Sequence, residues 1–110
     1  MATETVLEAL EAARKLLTPE ESWIKGLLAA DANGGGVCDP WLPEACKWCS
    51  TGAILAITRG WDDAYGGAIE ALTREMRMGV AIFNDTHTHA DVLRAFDAAI
   101  AKEKEAQHVL

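Results

Sequence analysis

The sequence predicts an all-α domain of about five helices, and three observations carry that expectation. Apolar residues recur at three- and four-residue spacing in several separate stretches. Threonine- or aspartate-led capping patterns stand directly before them. Glycine and proline mark the breaks between them. With 110 residues, half of them hydrophobic, the chain suits one domain over 1–110 with one core. Four tryptophans are spread through its middle, Trp23, Trp41, Trp48 and Trp61, and at least two are expected to anchor that core.

The first helix is signalled by Thr5 and Glu8, a capping box, and by Val6, Leu10, Ala13 and Leu17 as its buried stripe. Thr18, Pro19 and Glu21 form a second helix start, which predicts a helix with Trp23, Ile24, Leu27 and Leu28 on its apolar face. Residues 31–43, with Gly34, Gly35 and Gly36 in a row, read as an irregular loop. That loop lacks the Lys-Ser or Lys-Thr ending of a phosphate cradle. A third, central helix is expected from Pro43 or Glu44 to Arg59, with Cys46, Cys49, Ala53 and Ala56 on one face.

The fourth helix starts at Trp61-Asp62-Asp63 and buries Tyr65, Ile69, Leu72 and Met76. Val80 to Phe83 is too short for a helix by itself and reads as an extended connector. Asn84 to Thr88 is a turn cluster. Thr88 and Asp91 then box the last helix, which buries Val92, Leu93, Phe96, Ala99 and Ile100. Residues 103–110 are expected to fray.

Seventeen acidic residues against ten basic ones leave a formal net charge of -7. That balance disfavours phosphate-backbone binding, which needs a basic footprint, and suits a basic protein partner. The acidic surface expected to meet that partner comprises Glu4, Glu8, Glu11, Asp62, Asp63 and Glu70. An odd cysteine count, three, favours free thiols in a reducing compartment, so a cytoplasmic location is expected. No stretch approaches the ~20 apolar residues of a membrane span, and the N-terminus has no signal-peptide pattern.

Three short segments stand out: Trp23-x-x-Gly26, then Cys49-x-x-Gly52-Ala53, then Phe83-Asn84-Asp85 before the final helix. Together they resemble a family of small bacterial and phage proteins, a domain of unknown function. In that family an N-terminal amphipathic helix precedes Trp-x-x-Gly, Cys-x-x-Gly-Ala and Trp-Asn-Asp. Here Phe83 stands for the last tryptophan, and Cys38 and Cys46 are additions. The resemblance implies a fold and a phage association. It implies no activity.

Two constellations offer chemistry. Cys38, Cys46, Cys49, His87 and His89 are the side chains from which a tetrahedral zinc site would be drawn. The competing reading makes the cysteines small buried hydrophobes and the histidines turn residues, with no cofactor. Cys49 as nucleophile, with His87 or His89 as base and Asp85 as orienter, is the enzymatic alternative. For Asn84-Asp85 the choice lies between a polar site facing the third helix and a turn that caps the last one. The leading expectation is a non-enzymatic, acidic protein-interaction domain. By analogy with anti-CRISPR proteins, it would inhibit a host nucleic-acid-binding protein.

Overall fold

The computed structural model describes residues 5–108. The fold is mostly α, as expected: five helices and one two-stranded sheet among these residues. Helix α1 (Val6–Leu17) has the predicted box, with Glu8 N–H donating to Thr5 Oγ1 and Thr5 N–H to Glu8 Oε1. It packs on α2 (Ser50–Thr58), α3 (Asp63–Met76) and the long α5 (His89–His108). Leu10, Leu17, Ile54, Leu72, Val92 and Phe96 are fully buried between these helices. Of the tryptophans, Trp23 and Trp48 pack against this core, while Trp61 is exposed.

Helices α3 and α5 match their signals. Asp62 caps α3 through Tyr65 N–H, and Thr88 caps α5 by accepting from Asp91 N–H at 3.1 Å. Helix α5 continues to His108, with Lys102 and Lys104 paired to Glu75 and Glu11 on α3 and α1. The end of the tail expected to fray, residues 109–110, lies outside the described residues. No helix among the described residues is long and apolar enough to cross a membrane.

Three expected elements are different. The predicted second helix shrinks to one 3-10 turn, Glu20–Ser22. Beyond it the chain runs extended, because Trp23 bridges Trp48 and Ile24 N–H donates to the Trp48 carbonyl. Gly26, at φ +83, turns the chain again in the left-handed region, where only glycine sits without cost. Strand β1 (Ala29–Ala30) then pairs antiparallel with β2 (Lys47–Trp48).

The predicted third helix starts six or seven residues later than expected, at Ser50. Cys46 N–H donates to Ala30 O and Cys49 N–H to Leu28 O, so the backbone before Ser50 belongs to the sheet. Cys46 and Cys49 are therefore not one helical turn apart, and Cys49 is the N-cap residue. Arg59 ends α2 in the left-handed region at φ 57, a position glycine usually takes.

The predicted extended connector is helical. Helix α4 (Val80–Thr86) absorbs Asn84, Asp85 and Thr86 from the expected turn, with Val80 and Asn84 on its buried side. The glycine loop is held by Asp31, whose Oδ1 accepts from Asn33 N–H and Gly35 N–H. Those amides are occupied from within the chain.

Candidate functional site

The three segments that stand out in the sequence meet at one buried side chain. Asn84, on the inner face of α4, is fully buried. Its Oδ1 accepts three hydrogen bonds: from Trp23 Nε1 at 2.7 Å, Ser50 N at 2.9 Å and Ser50 Oγ at 2.7 Å. Its Nδ2 donates to Ile24 O at 2.9 Å and to Asp85 Oδ1 at 3.3 Å. One amide thus ties together the segment after the 3-10 turn, the first residue of α2, and α4. Every polar group in it is satisfied, which a buried amide requires.

Asp85 and Gly52 complete the junction. Asp85 Oδ1 accepts from Gly26 N–H at 3.0 Å, so it holds the left-handed turn. Gly52, in the first turn of α2, lies under the Leu28 carbonyl. A Cβ there would be 1.7 Å from Leu28 O. The spacing Cys49-x-x-Gly52 is explained by this contact and by Cys49 Sγ, which accepts from Gly52 N–H at 3.3 Å. Asn84 and Asp85 therefore do not cap the last helix, which Thr88 caps. They form a polar junction at the start of α2, where Asn84 Oδ1 takes the Ser50 N–H.

A cavity of about 160 Å³ opens beside the junction, lined by Gly26, Leu27, Leu28, Cys49, Ala81 and Asp85. Two of its lining side chains, Leu27 and Leu28, are 44% and 40% exposed, and Ile82, next in the chain to the lining residue Ala81, is 62% exposed.

Cys49 is the candidate nucleophile that lines this cavity, and its environment works against a thiolate. Burial pushes its pKa up, backbone N–H groups of Gly52 and Thr51 pull it down less, and the Asp85 charge raises it further. Neither predicted base joins it at the cavity. His89 donates Nε2–H to Leu17 O at 2.6 Å and leans on Trp23, 5.5 Å between ring centroids. His87 stacks on Phe83 at 3.8 Å and lies in a separate groove with Glu75, Asp91 and Arg94. Of the proposed triad, Cys49 and Asp85 come together and the histidines do not.

The five zinc candidates are likewise dispersed. Cys38 and Cys46 are exposed on the loop and before β2, Cys49 is buried, and both histidines are engaged as above. Among the described residues no group of three or more His, Cys, Asp or Glu side chains is placed to hold a metal ion. The expected set does not assemble because helix α2 starts after both Cys46 and Cys49.

The predicted acidic surface is mostly engaged within the chain. Glu8 closes the α1 box, which lowers its pKa through the Thr5 hydrogen bonds. Glu11 pairs with Lys104, Glu70 with Arg74, and Asp62 caps α3. Asp63 is exposed in the first turn of α3, and Glu4 lies outside the described residues. The acidic residue missed as a surface candidate is Asp85.

Thiol chemistry tests this description. Iodoacetamide at mildly alkaline pH is expected to modify Cys38 and Cys46 quickly and Cys49 only on unfolding, read by peptide mass mapping. Cys49 reacting first in the folded protein would restore it as a nucleophile.

The chain belongs to the family of unknown function DUF6197, whose model matches residues 1–102. No curated protein and no solved structure matches it.

Proposed function

We propose that this protein is a non-enzymatic protein-interaction domain. Its docking face is the apolar rim around the Asn84 junction, formed by Leu27, Leu28, Ala81 and Ile82. The observation that carries this reading is the division of labour at that place. The polar groups beneath the face are consumed in holding three segments together, and the side chains left in solvent above it are large and apolar. Large apolar side chains left in solvent at the mouth of a cavity, as Leu27 and Leu28 are, mark a candidate partner surface.

The net charge of -7 supports a basic partner and steers the two together. It also supports the finer reading, an inhibitor that covers a basic nucleic-acid-binding surface of a host protein in the manner of phage anti-CRISPR proteins. In that reading the apolar rim supplies affinity and the acidic remainder supplies encounter rate and selectivity.

Affinity capture from extract of the cells that encode the protein tests the proposal. A Leu28→Asp/Ile82→Asp variant is expected to keep the wild-type circular dichroism and to lose the captured partner by at least tenfold. A variant reversing Glu8 and Glu70 to lysine is expected to change capture less and mainly at low salt. Unchanged capture by the first variant would overturn the proposal.

A further inference from the structure

We infer that the cavity beside Asn84 receives one basic side chain, an arginine or lysine, from the partner protein. This deepens the docking reading above and rests on it. The cavity has the size, the lining and the charge for such a group. At about 160 Å³ it is smaller than the roughly 300–1,000 Å³ of ordinary small-molecule sites, so it suits a single side chain. Leu27, Leu28 and Ala81 give it apolar walls, which match the methylene stem of arginine or lysine.

Asp85 supplies the anion. Its Oδ1 is fixed by Gly26 N–H and Asn84 Nδ2, so the carboxylate is held in one orientation. Its Oδ2 accepts no hydrogen bond from any described residue. None of the ion pairs among the described residues involves Asp85. Lys25, the neighbour of Gly26, is turned onto the Trp23 ring with Nζ 5.5 Å from its centroid. A carboxylate oriented by two donors and paired with no cation among the described residues is prepared for a charge-assisted hydrogen bond from outside. An apolar stem in the cavity with a cation on Asp85 Oδ2 satisfies both features at once. Such an anchored basic residue is a common centre of protein interfaces.

Titration with n-butylguanidinium, followed by amide chemical shifts in the full chain, tests the inference. Saturable shifts are expected at Gly26, Leu27, Leu28 and Asp85. The neutral isostere n-butylurea is expected to bind at least tenfold more weakly. Asp85→Asn keeps an acceptor for Gly26 N–H and is expected to weaken the cation at least tenfold while leaving n-butylurea unchanged. Equal binding of cation and urea, equal binding by the Asp85→Asn variant, or no saturable shift would overturn the inference. The two readings fail separately. Cation binding with capture unaffected by the Leu28→Asp/Ile82→Asp variant would leave the cavity assignment standing without the docking face. Lost capture with no cation binding would do the reverse.

Discussion

Asn84→Ala is expected to destabilise the protein by roughly 3–5 kcal/mol, a large part of the total for a domain of this size. The substitution removes the acceptor for Trp23 Nε1, Ser50 N and Ser50 Oγ and the donor to Ile24 O; Asn84 and Ser50 are fully buried, and the bonds to Trp23 and Ile24 are partly so. Each buried polar group left without a partner costs about 1–3 kcal/mol, and partial solvation of the resulting cavity limits the sum. Trp23→Phe removes one donor and keeps the ring, so about 1–2 kcal/mol is expected. The two changes share a hydrogen bond, so the double variant is expected to lose less than their sum. Urea unfolding of the four proteins checks this. A loss under about 1 kcal/mol for Asn84→Ala would mean that the junction is not held as described.

Gly52→Ala is expected to be nearly as severe, at about 3 kcal/mol or more. The new Cβ would meet Leu28 O at 1.7 Å and Leu28 C at 2.7 Å. Both are backbone atoms of the segment that pairs with β2, so no side-chain rotation relieves the contact. Gly66→Ala is the control. It also lies in a helix, α3, but a Cβ there meets nothing within 4 Å. Its expected effect has the opposite sign, a gain of about 0.5–1 kcal/mol from helix propensity. Similar melting shifts for the two variants would remove the close approach of α2 to Leu28 from the account.

The elements legible in the sequence were those governed by their own neighbours. Helices α1, α3 and α5 carry local caps, Thr5, Asp62 and Thr88, and apolar stripes at helical spacing. The segments that differ on either side of the expected 31–43 loop are 18–30 and 44–49, and their structure is set from a distance. Thr18, Pro19 and Glu21 have the letters of a helix start. Yet Trp23 is drawn to Asn84, 61 residues on, and Ile24 to Trp48. Cys46 and Cys49 have helical spacing, but their N–H groups go to Ala30 and Leu28.

Helix α4 was missed for a related reason. Asn, Asp and Thr favour turns because their side chains compete for nearby backbone. Asn84 does not compete, since its amide is fully engaged with Trp23, Ile24 and Ser50. The three segments of the junction were visible as short patterns. Their convergence was not, because it follows from pairings across half the chain.

The most direct test of the docking face is site-specific photocrosslinking in the encoding cells. A benzophenone side chain would replace Ile82 on the apolar rim, or Glu11 on the acidic face of α1. The account predicts one protein partner crosslinked from position 82 and little or none from position 11. Crosslinking from position 11 alone would place the contact on the acidic surface and contradict the account.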